Sequence, residues 1–334
     1  TPTNAQQSSS ATGWLIYSVR GYRPVKPKSK WNEEVDMVDE MLDADVASSN
    51  DYRFNPAMTV RNEYRKTIVD YLNASAGLTW DITEDLKFKV TGGYTINKRR
   101  REEFNGTQTY TGYEGSPSGK GINGGIYWND KMSWVNDNTL TYTKRFNRKH
   151  NFNFLAGFTL SGEKFDYKGT YATQMTTEAL GLNGLHTGSY QTVTPWQYDW
   201  TMLSGFFRVN YNYKYKYYLT GSFRADGSSK FPSSNRWGYF PSAGFSWNIN
   251  REDWLKDKTW LSNAKFRASW GQNGSTAGLG GYRYANVISS TGNYPTAGHG
   301  IDYILGYAPS STGNQELKWE TSEQTNVGID TRFF

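Results

Sequence analysis

Apolar and polar side chains alternate from Tyr217 to Phe223. Tyr217, Leu219, Gly221 and Phe223 fall on one side, and Tyr218, Thr220 and Ser222 on the other. The pattern returns from Ser242 to Ile249, where Ala243, Phe245, Trp247 and Ile249 oppose Ser242, Gly244, Ser246 and Asn248. A period of two marks a strand with one apolar face. The same reading predicts strands at about 13–22, 65–80, 87–104, 132–146, 152–165, 200–213, 217–226, 238–250, 263–274 and 317–334, about ten in all. In the fifth, Phe152, Phe154, Ala156, Phe158 and Leu160 oppose Asn153, Gly157, Thr159 and Ser161.

The connections sort by length. "DITEDL", "NRKHN" and "KYK" are short and "NREDWLKDKTWLSN" is moderate. Between them come long connections over about 23–64, 105–131, 166–199, 227–237 and 275–316. Short turns on one side and long loops on the other describe an outer-membrane barrel, with periplasmic turns and extracellular loops. The expected fold is therefore all-β, a transmembrane antiparallel β-barrel. Phe154, Phe158, Phe207, Val209, Phe245 and Phe266 are expected to face lipid. Asn153, Thr159, Arg208, Asn210, Ser246 and Arg267 are expected to face the lumen.

Composition fits this picture. Only 36% of the 334 residues are hydrophobic, yet 16% are aromatic. The mean hydropathy is −0.76, because a barrel strand needs an apolar residue only at alternate positions. Trp80, Phe146, Phe152, Tyr213, Tyr215, Tyr217 and Phe334 fall at short-turn ends. Trp134, Trp200, Trp237, Tyr239 and Trp319 fall at long-loop ends, the two levels where ring and headgroup meet. Cysteine is absent, which removes disulfides and thiolate metal sites. A net charge of +6 without a basic reading element gives no reason to expect a nucleic-acid partner.

"RADGSSKFPSSNRWGYFPSAGFSW", Arg224 to Trp247, names a family. Together with Lys265–Ser269, Gly271 and the run "NQELKWETSEQTNVGID" from Asn314 to Asp330, it closely resembles the SusC/RagA family of TonB-dependent outer-membrane transporters. "RPVKP" and "NPAMTV" resemble a mid-barrel loop of that family. The resemblance implies a plugged barrel of 22 strands. Residues 1–334 would be its middle-to-late part, with the plug and closing strands outside this chain. "TPTNAQQSSSATG" does not read as a signal peptide, and both ends read as cuts through a longer protein. The family implies TonB-dependent uptake of oligosaccharides or peptides, a SusD-like surface lipoprotein as lid, and the TonB–ExbB–ExbD complex as energy source. A structural or adhesive barrel and a soluble all-β carbohydrate-binding module are the other readings.

No catalytic constellation is expected. His150, His186 and His299 are read onto separate loops without metal spacing. Asp226–Ser229 lacks the remainder of a phosphate-binding loop and reads as a turn. The acidic stretch around 31–51 reads as a short amphipathic helix. Calcium at Asp43, Asp45 and Asp51 would lack the glycine and closing glutamate of a standard loop. No cofactor is expected. The candidate substrate or lid contacts are aromatics read onto long loops: Tyr127, Trp128, Tyr190, Trp196, Tyr198, Tyr282 and Tyr284, with Tyr303 and Tyr307 beside them.

Overall fold

A computed structural model describes residues 19–20, 55–115, 119–255, 260–295 and 303–333. A short helix, Pro56–Asn62, comes first in the long described run. Pro56 is its first residue, where a fixed φ and a missing N–H cost nothing. The strands follow: β1 Glu63–Asp81, β2 Leu86–Asn105, β3 Asn123–Phe146, β4 His150–Thr173, β5 Tyr190–Tyr213, β6 Tyr217–Ser228, β7 Trp237–Asn248, β8 Leu261–Ser275, β9 Val287–Pro295, β10 Tyr303–Ser311 and β11 Glu320–Phe333. Nine of them form one open sheet in the order β1 to β8, then β11. Among the described residues β9 and β10 pair with each other alone, as an antiparallel ribbon that follows β8 and precedes β11 in the chain. No described helix is long and apolar enough to cross a membrane.

The register joins like with like. Between β5 and β6, Phe207 pairs with Phe223, Tyr211 with Leu219 and Tyr213 with Tyr217. The row continues as Leu219–Phe245 and Tyr217–Trp247 into β7, then Trp247–Phe266 into β8 and Phe266–Ile329 into β11. The alternate positions make a polar ladder. Asn153 donates to Thr143, Asn210 to Asn153 and Thr220 to Asn210. Ser222 and Ser242 share a bond of 2.6 Å, and Arg267 pairs with Asp330 at 2.8 Å. A one-residue slip would exchange the two faces, so this pairing is strongly specified. Phe207 and Phe158 lie on the apolar face, 45% and 46% exposed.

The apolar face has a measurable height. From the short turns it runs to Leu72 on β1, Ile96 on β2, Gly162 on β4 and Leu203 on β5. The next residues on that face are Asp70, Lys98 and Lys164, and on β5 Thr201 then Asp199. Each apolar run is thus about the 9–11 residues that span a bilayer. Trp134 and Tyr94 stand near its upper limit, 40% and 42% exposed. β3 departs from the rule with Asn136 and Asn138, where Asn138 Nδ2 donates to Asn136 Oδ1 at 2.5 Å.

Two of the short turns are tight. Asn147 and Arg148 both have positive φ, as do Lys214 and Tyr215. Lys149 N donates to Phe146 O, and Lys216 N to Tyr213 O. This is the type I′ geometry whose twist matches paired strands. In the turn after β7, Glu252 accepts from Tyr217 Oη (2.6 Å), Trp247 Nε1 (3.0 Å) and Lys216 Nζ (3.1 Å). These donors, Tyr217 first, hold its carboxyl down at about 2.

The structure changes several boundaries. β3, β4 and β5 each have 24 residues, so the connections after β2 and β4 shrink to 106–122 and 174–189. The stretch 275–316 contains two strands. His150 opens β4, bonded through Nδ1 to Tyr211 Oη at 2.8 Å, instead of lying on a loop. Residues 19–20 are helical, not strand, and the rest of 13–22 lies outside the described residues. So do the acidic stretch 31–51, His299 and Phe334.

Candidate functional site

The chain divides into two compact units. The first contains, among described residues, the helix, the start of β1, the far ends of β2 to β5 and the connections after β2 and β4. These strand ends lie beyond the apolar run, so both of their faces are wet. Alternation still fixes which side chains share a face. Arg65, Arg101, Glu103, Asn105, Asn123, Tyr127, Phe165, Tyr167, Tyr171, Tyr190 and Trp196 carry the parity of the polar ladder, here termed inward. Tyr64, Arg100, Glu102 and Trp128 carry the opposite parity.

Asn123 is the keystone of the inward side, 1% exposed. Its Oδ1 accepts from Asn105 Nδ2 (2.7 Å) and Tyr171 Oη (3.1 Å). Its Nδ2 donates to Thr111 O (3.1 Å) and Gly121 O (2.7 Å). One amide thus ties the loop 106–122 to β2 and β4. Arg65 adds β1 by donating to Asn105 Oδ1 (2.7 Å) and Phe104 O (3.1 Å). Glu178 accepts from the Thr107 amide and links the two connections. Asn123→Leu keeps the bulk but leaves these partners without a bond. The expected cost is about 1–3 kcal/mol for a buried group left unsatisfied. Limited proteolysis should show it as new cleavage within 106–122, with the barrel band still heat-resistant.

Beside the keystone, an aromatic and charged row crosses three strands. The Arg101 guanidinium lies 4.5 Å from the Tyr127 ring centre, and Tyr127 stacks on Tyr167 at 6.5 Å and 17°. Tyr127 Oη donates to Glu103 at 2.7 Å. Burial first, then Glu103, pushes the Tyr127 hydroxyl far up, so it remains a donor. Burial and Glu103 raise Tyr171 to about 12, and Lys120 lies over its ring at 5.4 Å. Phe165 and Trp196 meet edge-on at 5.3 Å, with Trp196 55% exposed.

The second unit holds the other candidate aromatics. Tyr198 Oη donates to Glu163 at 3.0 Å, and Tyr282 Oη to Asp199 at 2.6 Å. Tyr282 has a φ of 61°, and its bond to Asp199, then burial, raises its pKa. Tyr284 O accepts from Gln315 Nε2 at 2.8 Å, which closes the base of the β9–β10 ribbon. Tyr303 and Tyr307 are on β10. Tyr127, Trp128, Tyr190, Trp196 and Tyr198 therefore belong to strands, and only Tyr282 and Tyr284 to a loop. Trp128 lies on the opposite face of β3 from Tyr127.

Asp226–Ser228 end strand β6 instead of forming a turn, paired with Ser204–Met202 of β5, and Asp226 accepts from Arg224 Nε at 2.7 Å. Phe231 is completely buried, 4.9 Å from the Trp319 ring, and Trp319 meets Phe240 edge-on at 5.5 Å. Trp319 Nε1 donates to Arg236 O at 3.0 Å. A Cβ at Gly238 would lie 2.9 Å from the Trp319 ring, so glycine lets the ring approach the strand. Trp319 is thus a packed anchor, not the headgroup-level residue its position suggested. No group of three or more metal-ligating side chains occurs among the described residues.

A sheet with an apolar band of membrane height and a polar reverse is the wall of an outer-membrane β-barrel. The family model for the TonB dependent receptor-like β-barrel matches residues 4–334, and the chain belongs to that family. Its fold and outer-membrane location follow, and the soluble-module reading is removed. Relatives include TonB-dependent receptor P3 of Formosa agariphila, 29% identical over 84% of this chain and 27% of that protein. TonB-dependent receptor SusC of Bacteroides thetaiotaomicron is 36% identical over 40% of this chain and 13% of that protein. The RagAB peptide transporter structure superposes with a TM-score of 0.73 at 21% identity, over 85% of this chain and 30% of that one. The chain spans about a quarter of the length of the P3 receptor.

Proposed function

We propose that this chain is the middle-to-late barrel wall of an importer that takes up oligosaccharides or peptides across the outer membrane. The observation that carries the proposal is the family match over a sheet with an apolar band of membrane height and a polar reverse. The Asn123 tie braces the strand ends and connections of the first unit, here called the rim, so they can hold a binding face. A plug outside this chain would close the lumen, and the TonB–ExbB–ExbD complex would supply the pull that opens it. A SusD-like lipoprotein would cover the rim as a lid. Tyr127, Trp128, Tyr190, Trp196, Tyr198, Tyr282 and Tyr284 are proposed as contacts for cargo or lid. The wall itself carries out no reaction.

The test is uptake of a labelled oligosaccharide or peptide mixture by cells with the full-length receptor as their sole importer for it. Accumulation should require TonB and should fall when residues 180–187 are removed, while the barrel remains folded. Accumulation that persists without TonB would rule the importer reading out.

A further inference from the structure

Charge is sorted by face at the strand ends of the first unit. The outward side carries Lys66, Lys98, Arg100 and Lys168 against Asp70, Glu102, Asp130 and Asp166, four of each sign. The inward side carries Arg65, Arg99, Arg101 and Lys131 against only Glu63 and Glu103. Both inward acids are engaged locally. Glu63 lies 3.8 Å from Arg65, and Glu103 accepts from Tyr127 and lies 4.0 Å from Arg101. Arg99 is exposed on this side. The Arg101 guanidinium lies over the Tyr127 ring, and its buried Nε has no acceptor. Lys120 adds a further cation above Tyr171.

We infer that the inner wall of this rim selects cargo bearing anionic groups, carboxylates above all, with Arg99 and Arg101 as the specificity-determining residues. A wall of net positive charge beside low-dielectric protein raises the local concentration of oppositely charged ligand and speeds its capture. Tyr127 below the guanidinium and Glu103 beside it restrict the Arg101 side chain, so less freedom is lost when a planar carboxylate binds it. Solvation alone gives no reason for the imbalance, because the outward face of the same strands is neutral. The inference rests on the importer reading and gives it a substrate charge.

The test is calorimetric titration of the purified full-length receptor in detergent at low ionic strength, without TonB. Oligogalacturonate and a glutamate-rich peptide are the acidic probes. Maltohexaose and a serine-rich peptide of equal length are their neutral counterparts. At least one acidic probe should bind tenfold or more tightly than its counterpart, and which one does identifies the source of the carboxylate. Arg99→Gln and the pair Arg99→Gln/Arg101→Gln should remove most of that preference, and Arg99→Lys/Arg101→Lys should keep part of it. The outward pair Lys98→Gln/Lys168→Gln should leave it unchanged. Equal binding of acidic and neutral probes, no binding of either acidic probe, or equal losses from the inward and outward pairs would each overturn the inference. Because the titration needs no energy source, its failure would leave TonB-dependent uptake untouched, and the reverse also holds.

Discussion

Phe231→Ala is expected to destabilise the barrel wall by about 3–5 kcal/mol, the range for removing a fully buried phenylalanine ring. The ring is completely buried in the loop after β6 and packs against Trp319, which in turn meets Phe240 on β7. Its removal leaves a cavity where three chain segments meet, and the Trp319 bond to Arg236 O depends on that packing. Urea unfolding in detergent, followed by loss of the heat-resistant band on gels, measures the effect. A change below about 1 kcal/mol would mean that the loop does not anchor Trp319, the residue before β11. Phe231→Leu, which conserves more volume, should lose much less.

Phe207→Arg should cost about 2–4 kcal/mol, as for a cation at the middle of a lipid-facing strand. Phe207 pairs with Phe223 and lies 6.5 Å from Phe154, within the apolar band of β5. Its neighbour Arg208 is on the polar side, paired in register with Ser222. Arg208→Ala should therefore be near neutral. The contrast between adjacent residues carries the argument, because a barrel in the opposite register would invert it. Refolding into bilayers of defined thickness reads both variants directly.

The membrane-embedded wall was legible in the sequence because lipid on one side and polar lumen on the other impose strict alternation. The readings for β1, β2, β6, β7, β8 and β11 fall within a few residues of the observed strands. The upper halves of β3, β4 and β5 were read as loops because that alternation stops where lipid stops. "NGGIYWND" and "YQTVTPWQ" have water on both sides and no apolar face to declare them strands. β9 and β10 were hidden for the same reason.

Legibility of the rim was mixed. Tyr127 and Trp196 stood out as aromatics, but their side of the strand could not be assigned while they were placed on loops. Arg101, Glu103 and Asn123 were missed. The parity of the 87–104 strand already put Arg101 and Glu103 on one face, yet nothing local showed that Tyr127 lies across from them. Trp319 was misplaced because its partner Phe231 is 88 positions away, and such a contact leaves no periodic trace.

The central claim is that this sheet crosses the outer membrane with its short turns inside and its long connections outside. Cysteine labelling of the otherwise cysteine-free chain, in the full-length receptor on intact cells, tests it most directly. Leu180, 45% exposed in the connection after β4, and Lys214, in the tight turn after β5, are the two positions. The account predicts that an impermeant thiol reagent labels Leu180→Cys on intact cells, and labels Lys214→Cys only after the outer membrane is opened. Equal labelling of both on intact cells, or the reverse order, would contradict it.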